Sequence, residues 1–178
     1  MQIKRISVGI LQTNCYLLIS NKEIGIVDPG AEIQRIIREI EELGGEPKYI
    51  INTHYHLDHT GGVKELQKKT KAKILIHKEE KDFIDFEPDQ FLKEGDKIKI
   101  GDSVLNVIHT PGHTKGSICL LGEGFILTGD TLFKEGCGRT DLKGGSEKDL
   151  LASLERLRSI LKPGMVVYPG HGECFRIK

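Results

Sequence analysis

The chain has 178 residues, enough for a substantial core, and this length predicts one domain spanning residues 1–178. Its 26 basic and 26 acidic side chains balance, so the charge favours neither nucleic acid nor an acidic membrane surface as a partner. No apolar run approaches the roughly 20 residues of a membrane span, and no signal-like segment follows Met1. The four cysteines form no C-x-x-C pair, and we expect a reduced, cytoplasmic protein.

Short apolar runs separated by Gly, Pro and polar residues predict a β-rich chain with a few helices. The expected strands lie at about 2–8, 14–20, 24–28, 48–53, 73–77, 97–100, 103–109, 117–121, 124–129 and 165–168. Three helical patterns lie between them. One runs from Ile33 to Leu43 and ends at a Gly pair, and a short one follows Thr60. The third begins after the N-cap candidate Ser146 and stops at Pro163.

Two further expectations concern parts of the chain near the helices. The leucines of the third helix are predicted to form one apolar stripe that faces the core. They are Leu150, Leu151, Leu154, Leu157 and Leu161. Residues 78–96 are acidic, contain three Phe and one Pro, and look like a helix followed by a loop that shapes one wall of a cleft.

The most informative motif is H-x-H-x-D-H, which directly follows the predicted strand at 48–53. It contains His54, His56, Asp58 and His59. In extended backbone the first two histidines project to one side, whereas Asp58 and His59 lie where Gly61-Gly62 indicates a change of direction. Imidazole and carboxylate groups at this density are typical of metal ligands, and the two halves of the motif suggest more than one ion.

Three more candidate ligands follow predicted strands later in the chain. They are His113, Asp130 and His171, each beside a Gly or Pro at which the backbone can turn. A catalytic zinc ion commonly has three protein ligands and one open position. Seven candidates therefore suffice for two ions, with the seventh residue bridging them. The ligand types predict two divalent ions, with zinc the first expectation and iron or manganese also compatible.

The order of these seven residues resembles the metallo-β-lactamase-fold hydrolase superfamily. Residues 129–133 (GDTLF) and 136–141 (GCGRTD) look like the short, single-domain proteins similar to glyoxalase II, the hydroxyacylglutathione hydrolase. The resemblance implies an α/β fold, a four-layer αββα sandwich. It also implies that His54, His56 and His113 bind one ion, that Asp58, His59 and His171 bind the other, and that Asp130 bridges the two.

The ligand chemistry predicts a metal-dependent hydrolase. Two ions can hold a hydroxide between them and polarise a carbonyl, and Asp58 would orient this hydroxide. No dedicated general acid is evident, which favours a thioester, because a thiol with a pKa near about 8.5 leaves easily as a thiolate. The expected substrate is a small acyl thioester, with S-lactoylglutathione the first to test.

Three residues are predicted to act near the ions without binding them. By resemblance, Arg139 stands where glyoxalase II has a basic residue that holds glutathione, so it is a candidate for substrate binding. An exposed loop arginine is also compatible with solvation or with pairing to Asp141. Asp28 and His109 are predicted to support the ligands through hydrogen bonds, Asp28 by resemblance.

Two other functions are compatible with the sequence. The segment at 136–141 also resembles the loop of persulfide dioxygenases, which use the same fold with a single iron at positions similar to His54, His56 and His113. The ending around Tyr168–Gly172 looks more like the hydrolases. A metal-binding protein without catalytic activity is the remaining alternative.

Overall fold

The structure is a computed structural model that describes residues 1–178, and two six-stranded β-sheets form its centre. The first sheet has the order β1-β2-β3-β4-β5-β6, with antiparallel pairing from β1 to β3 and parallel pairing from β3 to β6. Its strands are β1 Gln2–Val8, β2 Thr13–Ser20, β3 Glu23–Val27, β4 Glu46–Ile51, β5 Lys73–His77 and β6 Gln90–Leu92.

The second sheet has the order β12-β11-β10-β9-β8-β7, and all of its neighbours are antiparallel except β10 and β11. Its strands are β7 Lys97–Ile100, β8 Ser103–His109, β9 Ile118–Gly122, β10 Phe125–Gly129, β11 Val166–Pro169 and β12 Phe175–Arg176. The α-helices are α1 Ile33–Leu43, α2 Leu57–Thr60, α3 Val63–Thr70 and α4 Glu147–Ile160, and a 3₁₀ helix covers Lys78–Phe83.

The alternation of side chains along the strands explains why both sheets are buried on two faces. On β2, Tyr16 and Leu18 pack between the sheets, whereas Cys15 and Leu17 pack against the helices outside the first sheet. Helices α1 and α3 cover that outer face, and α4 covers the outer face of the second sheet through Leu157. The layers are therefore helix, sheet, sheet and helix, and the predicted αββα sandwich is confirmed.

The structure corrects the sequence prediction at several places. Strands β6 and β12 were not predicted, because at three and two residues they are too short to show a periodic pattern. Residues 78–96 contain a 3₁₀ helix and β6 in place of a helix and a loop. The apolar stripe of α4 is narrower than predicted, because Leu151 is 60% exposed while Leu150 and Leu157 are buried.

The length and the apolar character of each helix decide whether it could cross a membrane. None of the helices combines the length and the apolar character that crossing a bilayer requires. The longest, α4, has 14 residues.

Candidate metal centre

Seven side chains from four loops converge at one edge of the two sheets. The loop after β4 supplies four of them, and the loops after β8, β10 and β11 supply one each. They are His54, His56, Asp58, His59, His113, Asp130 and His171. Their donor atoms form three overlapping groups, within each of which the atoms lie within 4.8 Å of one another. Two of these groups share no residue, and the third, which consists of His54, His59 and Asp130, joins them. The structure thus brings together all seven residues that the sequence singled out.

The first group consists of His54, His56 and His113, and all three are imidazoles. His113 Nε2 lies 2.9 Å from His56 Nδ1. His54 Nε2 is buried and has no hydrogen-bond partner in the protein. A buried polar atom without a partner is costly, so its direction toward two other imidazoles indicates a place for a cation.

The second group consists of Asp58, His59 and His171. His59 Nε2 lies 3.3 Å from His171 Nε2 and 3.4 Å from Asp58 Oδ2, and His171 Nε2 lies 3.2 Å from the same Asp58 oxygen. Donor atoms at about 2.0–2.2 Å from a tetrahedral ion lie about 3.3–3.6 Å from one another. The spacing of this group therefore fits one tetrahedral ion.

Asp130 lies between the two groups. Its Oδ2 is 3.5 Å from His113 Nε2 in the first group and 3.6 Å from His171 Nε2 in the second. Its Oδ1 is 3.5 Å from His59 Nε2 and is buried without a hydrogen-bond partner. One carboxylate thus faces both groups, which is the position that a bridging ligand needs.

Backbone carbonyls orient two of the imidazoles. His113 Nδ1 lies 2.7 Å from the carbonyl oxygen of Arg139, and His171 Nδ1 lies 3.1 Å from that of Leu11. Because a carbonyl only accepts, each Nδ1 must carry the proton, and each Nε2 presents a lone pair to the centre. Metal-binding histidines are commonly oriented in this way.

Asp28 orients two further imidazoles from a buried position. Its carboxylate accepts hydrogen bonds from the backbone N–H and the hydroxyl of Thr53, at 2.8 and 2.7 Å. The oxygen of that hydroxyl lies 3.0 Å from His54 Nδ1 and can accept its proton. Asp28 Oδ2 also lies 3.0 Å from His59 Nδ1, an ion-pair distance, although the two atoms are not aligned as a hydrogen bond. Asp28 therefore supports the first group through Thr53 and contacts the second group directly at His59.

The two groups differ in their electrostatics. Burial lowers the pKa of His54 well below its usual value, that of His56 to about 4, and also that of His113, so these imidazoles are neutral at pH 7. Burial alone would lower the pKa of His59 too, but the carboxylates of Asp28 and Asp130 raise it well above its usual value. The first group offers neutral imidazoles, and the second is surrounded by the carboxylates of Asp28, Asp58 and Asp130. Both environments suit a divalent cation.

Comparison with known proteins identifies the family. The model of the metallo-beta-lactamase superfamily matches residues 8–171, a range that contains all seven converging residues. The chain belongs to the metallo-beta-lactamase superfamily.

Three relatives illustrate what this superfamily member is similar to. The "Probable metallo-hydrolase YqgX" of Bacillus subtilis (strain 168) is 35% identical, over 97% of this chain and 90% of the relative. The hydroxyacylglutathione hydrolase GloC of Haemophilus influenzae is 33% identical, over 97% of this chain and 91% of the relative. The solved structure of TTHA1623 in a di-iron-bound form is 29% identical, with a TM-score of 0.89 over 97% of this chain and 94% of that chain. TTHA1623, which shares this fold, thus binds a pair of iron ions.

The predicted supporting residue His109 and the side chain of the predicted substrate-binding residue Arg139 lie outside the centre. His109 stacks on His77 with ring centroids 4.1 Å apart, its Nε2 lies 2.8 Å from the carbonyl oxygen of Lys115, and none of its hydrogen bonds reaches the seven converging residues. The guanidinium of Arg139 is exposed and forms two 2.7 Å hydrogen bonds to Asp141, as the alternative prediction for this residue stated. What reaches the centre from Arg139 is its carbonyl.

Several supporting groups were missed in the sequence. Thr13 donates a 2.9 Å hydrogen bond to Asp58 Oδ2, and Thr53 links Asp28 to His54. Thr53 directly precedes the H-x-H motif, so its position was a usable signal. Thr13 and the carbonyls of Leu11 and Arg139 carry no such signal, since only the fold brings them to the centre.

Proposed function

We propose that this protein is a hydrolase that uses two divalent ions, one held by His54, His56 and His113 and the other by Asp58, His59 and His171, with Asp130 between them. The spacing of the second group carries the proposal, because three donor atoms 3.2–3.4 Å apart match the corners of one coordination tetrahedron. The superfamily match and the di-iron form of TTHA1623 support it.

The residues of the centre suit hydrolysis without a covalent intermediate. Bound divalent ions supply hydroxide from water near neutral pH and polarise a substrate carbonyl. Asp58 is half-buried, and the hydroxyl of Thr13 holds its Oδ2, so this carboxylate can orient a water molecule. Asp58 and His171 retain about a quarter of their side-chain exposure, at 25% and 27%, whereas His59 is fully buried. The centre is therefore open to solvent at Asp58 and His171, and His56 is also partly exposed.

We infer that the substrate is a small acyl thioester. The centre consists of imidazoles and carboxylates that are already engaged, which leaves no evident general acid for a poor leaving group. A thiolate needs none, since its conjugate acid has a pKa near about 8.5. The relative GloC is named as a hydroxyacylglutathione hydrolase, and a cavity of about 560 Å³ beside His171 and Phe133 offers room for a small acyl group.

The affinity for the glutathione part is proposed to be moderate to poor. The guanidinium of Arg139 is the basic group expected to meet a glutathione carboxylate, but Asp141 already occupies one of its hydrogen-bonding edges, through Nε and Nη2. A substrate carboxylate would have to displace this exposed pair or bind the remaining Nη1 edge beside the negative charge of Asp141.

The purified chain is expected to bind two divalent ions at saturation. The seven donor residues exceed the capacity of one tetrahedral ion, and six of them fall into two groups of three that share no residue, with Asp130 near both. Elemental analysis after reconstitution with Zn²⁺, Fe²⁺ or Mn²⁺ measures the ratio, and anomalous scattering locates each ion. A single ion at full occupancy, with His59 and His171 uncoordinated, would contradict the two-ion proposal and favour the mononuclear iron alternative.

The metal-loaded protein is expected to release free thiol from S-lactoylglutathione in the absence of oxygen, because water supplies the attacking atom. A thiol-reactive chromophore measures the release, and protein treated with a chelator serves as the control. Oxygen consumption with glutathione persulfide, together with no anaerobic thiol release from thioesters, would overturn hydrolysis in favour of dioxygenase chemistry. Metal binding without turnover in either assay would support the non-catalytic alternative.

A further inference from the structure

Glu80 is a buried carboxylate that takes no part in the proposed chemistry. It lies in the 3₁₀ helix after β5 and is 0% exposed. Its Oε2 accepts a 2.6 Å hydrogen bond from the backbone N–H of Tyr55, and its Oε1 accepts a 2.5 Å hydrogen bond from that of Gly116. Both carboxylate oxygens are thus used to hold backbone.

The two backbone donors belong to the loops that carry the first metal group. Tyr55 lies between His54 and His56, and Gly116 lies three residues after His113. These loops follow strands of different sheets, β4 and β8, and Glu80 connects them through a single side chain. Its location is therefore suited to fixing the distance between the H-x-H segment and the third histidine.

The packing around Glu80 leaves little freedom. A Cβ atom added at Gly116 would lie 2.6 Å from Glu80 Cγ and 2.6 Å from its Oε1. On the other side, the ring of Tyr55 stacks on Phe83 of the same 3₁₀ helix, with centroids 4.7 Å apart. The 3₁₀ helix therefore contacts Tyr55 twice: Glu80 binds the backbone N–H of Tyr55, and Phe83 stacks on its ring.

A carboxylate in this place is costly in free energy, which points to a role beyond packing. Burial raises the pKa of Glu80 to about 7, although the hydrogen bonds from Gly116 and Tyr55 lower it. An apolar side chain would avoid this cost but would leave two backbone N–H groups without acceptors.

We propose that Glu80 is a positioning residue for the ion held by His54, His56 and His113. This inference rests on the proposed two-ion centre. The second group is held by other contacts, which are those of Thr13 with Asp58, Asp28 with His59, and the Leu11 carbonyl with His171. Loss of Glu80 should therefore weaken binding of the first ion and leave the second ion unaffected.

The test measures metal binding directly, by titrating metal-free protein with Zn²⁺ in competition with a chromophoric chelator. In Glu80→Gln the amide NH₂ replaces one acceptor and faces a backbone N–H. One of the two affinities should fall by about 10–100-fold, the range for loss of an outer partner of a metal ligand, and the other should remain as in the wild type. The neighbouring Glu79→Gln is the matched control, because Glu79 is exposed and the one ion pair of its carboxylate is with Lys78, at 3.9 Å. It should titrate like the wild type.

Two further variants identify the affected ion and separate positioning from folding. In a His56→Ala background, where the first group is already incomplete, Glu80→Gln should not weaken the remaining ion further. Gly116→Ala leaves Glu80 chemically intact but displaces it, and should weaken the same ion even if Glu80→Gln does not fold. Thermal unfolding of each metal-free variant reports its fold.

Three results would count against the assignment. Unchanged affinities in both folded variants would overturn it, and so would equal weakening of both ions, which would indicate a general structural role. A wild-type protein that binds a single ion would instead contradict the proposed two-ion centre. If Glu80→Gln then bound that single ion with unchanged affinity, the positioning role of Glu80 would be overturned as well.

Discussion

Replacement of Asp130 by alanine is expected to reduce turnover by more than about 100-fold and to lower the metal content below two ions per chain. The carboxylate lies 3.5–3.6 Å from His59, His113 and His171, so its loss removes a donor from both proposed ions at once. Loss of an outer partner of a metal ligand already costs about 10–100-fold, and a shared direct donor should cost more. Steady-state kinetics with a thioester and elemental analysis measure the two effects.

Asp141→Ala is the matched control for this substitution. Asp141 belongs to the loop that follows Asp130, is exposed, and is hydrogen-bonded to the side chain of Arg139. Its variant should keep both ions and most of the turnover. If Asp130→Ala retained two ions and wild-type turnover, the bridging assignment would be wrong.

Gly170→Ala is expected to damage the centre although glycine has no side chain to contribute. A Cβ atom there would lie 2.1 Å from Asp130 Oδ1 and 2.8 Å from His59 Cε1. The backbone has little room to retreat, because Gly170 donates to the Gly129 carbonyl and accepts from the Asn14 N–H, both at 2.7 Å. We expect at least a 10-fold loss of turnover and a destabilisation of about 1–3 kcal/mol, as is usual for overpacking.

Gly172→Ala tests whether strain of this loop alone has the same effect. Gly172 has a φ of +78°, and no atom lies within 4 Å of an added Cβ, so its substitution costs only the left-handed conformation, about 1–2 kcal/mol. It should lose some thermal stability but keep its metal and its turnover. Equal loss of metal in the two variants would show that contact with Asp130 is not the cause.

The sequence predicted most of the fold because apolar runs and turn residues agree along much of the chain. Strand β2 is an example, since its side chains fill two cores on opposite faces and therefore form one continuous apolar run in the sequence. Strands β6 and β12 were missed, because backbone pairing with a neighbour creates such short edge strands and leaves no apolar pattern. Leu151 was misplaced because the number of leucines in α4 exceeds what one buried face can hold.

The centre was predictable as a set of donor residues but not as a network. The H-x-H-x-D-H motif and the later His and Asp residues are visible because metal binding requires particular side chains. Orientation depends on backbone carbonyls, such as those of Leu11 and Arg139, which any residue provides. Glu80 was not singled out either, because an acidic residue in an acidic segment has nothing in the sequence that distinguishes a buried one from its exposed neighbours.

The proposed ions also have a mechanical consequence. The donors of each group come from both sheets, since the loop after β4 belongs to the first sheet and the loops after β8, β10 and β11 belong to the second. Each ion would therefore act as a non-covalent cross-link that joins the two halves of the sandwich and closes a long loop of chain. Ligands that bind only the native state stabilise it by mass action, by about 2.7 kcal/mol at a free concentration 100 times the dissociation constant. The supply of metal would thus set the free energy of unfolding of the chain, in addition to whether it is active.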